Sequence, residues 1–416
     1  MAVAHPQIHF LFSRNGGSSL MAPRKTTISR RLRRWRNQAS TMWTLATERT
    51  PVYMILYLTS RCNFRCPMCF YLDEIKDSDK EEIAFPELDK MARSMGRLIQ
   101  LSLTGGEPFL RHDIPEVVAV FSKHNGVKFV TIPTNGSLPD RTAETVERLT
   151  KGFPNTHFRI PLSLDGFPED HDKIRGGKSF DKIEETVAAL AGIRNRVDNL
   201  TLDINTCYSA LNQGKMSGFV DFVADRFDVD NHTVTYVRGN AEESTKRASV
   251  AEYAEIVNDI RRRRNRRESR PFSSLLRSVM DYQRDIIQKT LERDRMYVPC
   301  VAGRKMIVVT EKAEVLPCEI LDKRLGTLKD HDYNIRNLLE TPHAREVVDW
   351  IRETKCHCTF ECALATSLIY HKASYPRMAW RGLKQWWGSR KRRNPELSAP
   401  AQGDSIVSLP VLGHTG

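Results

Sequence analysis

Three cysteines, Cys62, Cys66 and Cys69, stand within eight residues, directly after the apolar run "YMILYLT" at 53–59. Thiolates hold iron–sulfur clusters, and a fully enclosed four-iron, four-sulfur (4Fe–4S) cluster takes four of them. A trio in one loop leaves one iron without a protein ligand. That iron can bind a substrate or cofactor directly, as the open position of a catalytic zinc does. A zinc ion in the same loop would want a fourth ligand nearby, and the next histidine is His112. The other cysteines are Cys207 and the series Cys300, Cys318, Cys356, Cys358 and Cys362, spaced C-x17-C-x37-C-x-C-x3-C. An odd total of nine, locally grouped in 416 residues, points to metal ligation in a reducing compartment rather than to a disulfide framework. The second series suits one iron–sulfur cluster or a zinc site that includes His357.

The elements that must position these thiols follow a regular rhythm. Strand-like runs at 53–59, 98–104, 127–134, 157–164, 200–206 and 232–237 are β-branched or continuously apolar, as strands buried on both faces are. Helical stretches such as "FPELDKMARSMGRL", "IPEVVAVFSKH" and "SFDKIEETVAALAGI" lie between them. Six βα units predict an α/β fold, a parallel barrel or a doubly wound sheet, and both place ligands at the carboxyl ends of the strands. The first cysteine group, following the first strand, belongs at that end. The expected organisation is a basic arm (1–50), the βα core (51–240), a charged helical linker (241–297), a cysteine-rich segment (298–365) and a basic tail (366–416) whose last 25 residues or so are disordered. Within the fourth segment, "KMIVVTEKAEVLPCEI" predicts a small hairpin turning at "TEKAE".

The spacing C-x3-C-x2-C after a first strand, with six βα units behind it, resembles the radical SAM superfamily. "LTGGEP" at 103–108 is similar to the family's GGE motif, which implies that Gly105, Gly106 and Glu107 approach the methionine amino group of S-adenosylmethionine. "PTNG" ends strand three with Asn135. "SLDG" at 163–166 resembles the ribose- and carboxylate-contacting segment, with Ser163 and Asp165 as candidates, and "HDKIRG" at 171–176 often follows it in the family. Asn205 ends strand five. Val237, in "TYVRG", falls where the family's backbone meets adenine. The residue before the third cysteine, often an aromatic packed on adenine, is Met68 here, and Phe70 or Tyr71 would substitute. The resemblance implies a partial (βα)6 TIM-like barrel carrying a 4Fe–4S cluster on Cys62, Cys66 and Cys69. It also implies reductive cleavage of S-adenosylmethionine to a 5′-deoxyadenosyl radical that abstracts hydrogen from a substrate, with a flavodoxin or ferredoxin as reductant. The second series resembles the SPASM and shorter twitch auxiliary-cluster domains. Its five cysteines imply one auxiliary cluster and one spare, with the turn glycine of those hairpins replaced around Lys312 and Ala313. Cys207, just past strand five, is either a hydrogen-donating thiol at the barrel mouth or a small buried apolar residue.

Charge adds a second theme. The net charge of +13 gathers in the arm, in "RRRRNRR" at 261–267 and in "RKRR" at 390–393. Ile28, Leu32, Trp35, Ala39 and Met42, and then Trp380, Leu383, Trp386 and Trp387, recur at helical spacing among arginines. Such stripes either lie on anionic membranes or dock on the barrel. No run is long enough to span a bilayer. The expected protein is cytoplasmic, with possible contact at the inner membrane face. Its substrate would be a small molecule, a lipid-linked compound or a peptide, and nucleic acid ranks lower because no RNA-binding motif accompanies the arginines. The rival class is a non-catalytic barrel with a zinc-stabilised C-terminal module.

Overall fold

The computed structural model describes residues 39–76, 81–266 and 271–393. Six parallel strands, β1 (Tyr53–Thr59), β2 (Gln100–Gly105), β3 (Phe129–Thr131), β4 (His157–Ser163), β5 (Leu200–Tyr208) and β6 (Asn231–Tyr236), lie side by side in chain order. Each crossover carries a helix, including Phe85–Ser94, Ile114–Asn125, Pro139–Gly152, Phe180–Arg194 and Met216–Arg226. Consecutive right-handed crossovers put every helix on one face of the sheet, so the sheet curls with the helices outside.

The two faces are chemically distinct. Met54, Leu56, Leu101, Leu103, Val130, Phe158, Ile160, Leu162, Leu202 and Ile204 are buried. On the alternate positions, Ile55, Ser102, Thr131 and Arg159 stand in register across four strands, and Ser163 and Asn205 pair across β4 and β5. Strands of period two therefore present an apolar face to the helices and a largely polar face to the lumen. β1, buried at all seven positions, meets the expectation of a strand apolar on both faces, whereas β2 to β6 depart from it. β3 is also shorter than 127–134, because Pro133 lacks the donor a central strand needs.

The predicted hairpin forms as β7 (Met306–Val309) and β8 (Glu314–Leu316), with a short β9 (Gly326–Thr327). It is not a separate layer. β7 pairs in parallel with β1, from Tyr53↔Met306 to Leu56↔Val309, and extends the barrel sheet to nine strands. At the turn, Ala313 adopts φ 67°, the left-handed region where the expected glycine would sit without strain. Ala313→Gly is expected to stabilise the protein by about 1 kcal/mol, read as a higher midpoint in urea unfolding.

The arginine run at 261–267 closes helix Val250–Arg266. Arg261 pairs with Asp281 and Asp285, and Arg263 with Asp259 and Asp221. Arg261 and Arg263 thus tie neighbouring helices together. Helix Tyr375–Arg393 packs along helix Pro271–Arg293, yet leaves Trp380, Leu383 and Trp387 exposed. Ile28, Leu32, Trp35, the side chain of Trp386 and the expected disordered tail lie outside the described residues.

Candidate active site

The cysteine loop leaves the carboxyl end of β1 and is clasped from two sides. The Gly106 N–H donates to Thr59 O (2.8 Å) and the Glu107 N–H to Arg61 O (2.9 Å). A Cβ at Gly105 would stand 2.1 Å from Thr59 O, and one at Gly106 would stand 2.1 Å from Arg61 O. The paired glycines thus let β2 close directly on the cysteine loop. From β3, Asn135 Nδ2 donates to Asn63 Oδ1 (2.8 Å), and Asn63 Nδ2 donates to Ser137 Oγ (2.8 Å). Asn63 sits inside the C-x3-C spacing and escaped sequence reasoning, since an asparagine between two cysteines carries no signal until its partner strand is known.

All three thiols are free. Burial raises the pKa of each, that of Cys69 up to about 12. They stay protonated unless a metal takes the proton's place, and a soft Lewis acid such as iron does this. Two donors face the sulfurs: the Phe64 N–H lies 3.4 Å from Cys62 Sγ, and Arg175 NH1 lies 3.9 Å from Cys66 Sγ. Among the described residues no three Cys, His, Asp or Glu side chains converge on a point as ligands of a single metal ion would. A cluster spreads its thiolates over different irons, so its ligands need no common point. The donor set and its setting fit a 4Fe–4S cluster.

Two expected cofactor contacts are turned inward. The Glu107 carboxylate is 1% exposed and accepts from the Asn135 N–H (2.7 Å), Thr134 Oγ1 (2.9 Å) and the Phe109 N–H (3.2 Å). It joins β2 to β3 beneath the loop and does not reach toward an ammonium. Asp165 is fully buried. Its Oδ2 accepts from Arg175 (2.7 and 2.8 Å) and its Oδ1 from the Cys207 N–H (2.8 Å). Three of its roughly four acceptor positions are therefore taken by protein. By contrast, the side chains of Ser163 and Asn205 are half-buried, adjacent in register and without a hydrogen bond to a described residue. Met68 and Val237 come together with Cys66, Ile174 and Ala241 in a small apolar cluster, with Cys69 and Cys207 at its edge. Phe70 packs instead on the main core, and Tyr71 donates to Glu311. Cys207 lies on the lumen face of β5 beside the cysteine loop, and burial raises its thiol pKa strongly.

His171 is fully buried, with Nδ1 accepting the Asp165 N–H (3.1 Å) and Nε2 paired with Ser179 Oγ (3.0 Å). Burial lowers its pKa to about 4, whereas burial raises that of Glu107 to about 7 against its three hydrogen bonds. The signs oppose. A depressed histidine stabilises the fold above about pH 6.5, and that contribution is lost as pH falls toward 4. A raised carboxyl stabilises it below about pH 4.5, and that contribution is lost as pH rises toward 7. Each is worth about 3 kcal/mol at full extent. His171→Gln should leave stability falling as pH rises from about 4.5 to 7, and Glu107→Gln should leave it rising from about 4 to 6.5. Urea unfolding at several pH values reads both, and parallel curves for the two variants would contradict this assignment.

Comparison with known proteins now bears directly on this geometry. Residues 56–209, from β1 to the end of β5, match the family described as the Radical SAM superfamily. The barrel is a radical SAM domain. Among curated relatives, the GTP 3′,8-cyclase of Limosilactobacillus fermentum is 26% identical over 218 residues, covering 49% of this chain and 60% of that protein. The Fe-coproporphyrin III synthase of Methanosarcina barkeri is 35% identical over 155 residues, covering 36% and 34%. The chain thus spans between about a third and three fifths of the length of these relatives. Of solved structures, native anSMEcpe with bound AdoMet superposes with a TM-score of 0.51 at 18% identity, over 81% of this chain and 99% of that one. Streptococcus suis SuiB bound to the precursor peptide SuiA gives 0.50 at 16%, over 81% and 74%. At such identities the likeness is one of fold.

Beyond the radical SAM barrel, the structure sorts the remaining cysteines. Cys300, Cys356 and Cys358 line one small cavity. Burial chiefly, and then the nearby Cys300 and Cys318, raise the Cys356 pKa to about 11, and Cys358 feels the same pair. Cys362 is apart: it lies against the Tyr53 phenol, Glu319, Arg238 and Glu361. His357 turns both ring nitrogens elsewhere, to Lys355 O (3.0 Å) and Asp294 Oδ1 (3.3 Å).

Proposed function

We propose that this radical SAM enzyme binds a 4Fe–4S cluster on Cys62, Cys66 and Cys69 and S-adenosylmethionine at the iron those thiols leave open. The observation that carries the reading is the clasped three-thiol loop at the carboxyl end of β1, flanked by a polar lumen. When bound and reduced, the pair supplies a 5′-deoxyadenosyl radical for hydrogen abstraction. The chain's own residues do the rest. Asn63, Asn135 and Ser137 hold the loop's shape, and the Phe64 N–H and Arg175 offset charge on the sulfurs. Met68 and Val237 offer an apolar seat for adenine, and Ser163 and Asn205 offer free polar groups for the ribose and the amino acid end. Arg159, ion-paired with Asp203, and Cys207 remain on the lumen face for the substrate, with Cys207 the candidate to return a hydrogen atom.

Cys300, Cys318, Cys356 and Cys358 are proposed to hold one auxiliary 4Fe–4S cluster, with Cys362 the spare. Cys358→Ser should then lower bound iron by about half, while Cys362→Ser should leave it unchanged; equal loss in both would move Cys362 into the ligand set. A flavodoxin- or ferredoxin-type donor would deliver the electron. The substrate is proposed to be a small molecule, a lipid-linked compound or a peptide. No described helix is long and apolar enough to cross a membrane. We place the chain at the inner membrane face as a peripheral protein, supported by exposed Trp380 and Trp387 on the basic helix Tyr375–Arg393 and by exposed Trp43. The test is anaerobic reconstitution followed by dithionite and S-adenosylmethionine. The reading requires broad absorption near ~400 nm and release of 5′-deoxyadenosine. A protein that takes up zinc alone, with no cleavage, would instead support a non-catalytic barrel.

A further inference from the structure

At the opposite end of the sheet from the thiols, the amino ends of β1 and β7 open into a cavity of about 1000 Å³. Its wall carries Arg49, Arg304, Lys305, Arg336 and Arg345. None of the four arginines forms an ion pair with a described residue. Of the three carboxylates in the wall, Glu48 and Asp349 are committed, and Glu340 has no side-chain partner among the described residues. Glu48 accepts from the backbone of Arg49, Thr50 and Arg97 and from Thr50 Oγ1, and Asp349 pairs with Arg352. Lys305 lies over the Tyr370 ring, 5.3 Å from its centroid, and donates to Glu48 O. Tyr370 also lines the wall, and its hydroxyl is buried and has no hydrogen-bond partner among the described residues. A buried hydroxyl without an acceptor costs about 1–3 kcal/mol, and unpaired guanidinium groups beside it repel one another. An oxyanion in the cavity would lower the repulsion and offer the hydroxyl an acceptor once the ring shifts toward it, and guanidinium forks match phosphate oxygens.

The rim indicates where that anion comes from. Thr47 ends the helix at 39–47 and lines the cavity, and Met42 and Trp43 on that helix are 67% and 69% exposed. Tyr370 and His371 line it from the other side, between exposed Ile369 and Tyr375, where helix Tyr375–Arg393 with its exposed tryptophans begins. Exposed apolar side chains on both sides of a cationic cavity, those of one side on the basic helix Tyr375–Arg393, suit a lipid surface that presents anionic headgroups.

We propose that this cavity seats the phosphate headgroup of an anionic phospholipid, which anchors the enzyme to the membrane with its barrel mouth pointing away. The inference rests on the peripheral placement above but not on the iron chemistry. It is tested with the full chain and vesicles of phosphatidylglycerol in phosphatidylcholine, against phosphatidylcholine alone, with soluble glycerol 3-phosphate as competitor. The parent should bind the anionic vesicles and be displaced by millimolar competitor. Arg336→Gln/Arg345→Gln should weaken vesicle binding at least tenfold. Tyr370→Phe, which changes no charge, should weaken it severalfold with the fold intact by circular dichroism. Vesicle binding that is unchanged in Tyr370→Phe and insensitive to competitor would reduce the contact to diffuse attraction and overturn the headgroup seat. Binding of glycerol phosphate without any uptake on vesicles would overturn the lipid source.

Discussion

Replacing Cys62, Cys66 and Cys69 together with alanine is expected to abolish 5′-deoxyadenosine formation while leaving the barrel folded. The thiols make few bonds that the fold needs. The loop is held instead by backbone bonds to β2 and by the Asn63–Asn135 pair, and none of these passes through sulfur. Bound iron should fall by about half if the auxiliary site remains filled. Radical initiation has no side chain that can take over, because the electron must enter through the metal. The loss should therefore be complete and not the partial defect typical of an acid–base residue. Quantifying 5′-deoxyadenosine by chromatography, together with iron content and the thermal midpoint, separates chemistry from folding. Residual cleavage with normal iron would remove the loop from the mechanism.

The largest stability effect is expected at Arg175. Its guanidinium faces the fully buried Asp165 carboxylate and also reaches Cys66. Taking away one partner of a buried pair strands the other charge, a cost of about 3–5 kcal/mol. Arg175→Leu should show this loss in urea unfolding of the metal-free protein. The Asp165→Leu/Arg175→Leu double variant should recover much of it, since no charge is then left buried, although the Cys207 N–H loses its acceptor. A single-variant cost below about 1 kcal/mol would mean that water reaches the pair.

These two sites also mark what the sequence could and could not disclose. The three-cysteine spacing, the strand before it and the order of βα units were readable because each depends on local pattern alone. β1 at 53–59, β4 beginning at His157 and the hairpin at "TEKAE" fall where hydrophobic periodicity and turn chemistry place them. Side-chain direction was not readable. Glu107 and Asp165 stand at the expected strand ends, yet both carboxylates point into the protein toward partners 10–28 residues away in sequence. A carboxylate at a strand end looks the same in sequence whether it meets a ligand or an arginine. The division of the C-terminal cysteines was hidden for a similar reason. Cys362 is only four residues from Cys358, but it falls on helix Glu361–Tyr370, which turns it toward Tyr53 of the barrel.

The parallel pairing of β7 with β1 has a consequence for how the chain is made. β1 precedes every other described strand in the chain, yet one of its two neighbours begins only at Met306. Until then it waits with an open edge, the feature that nascent sheets most need to shield from other chains. A polypeptide cut short before Met306 would carry every thiol of the first loop and still lack the strand that closes that side of the sheet. Full pairing of β1 should accordingly wait until synthesis has passed Val309.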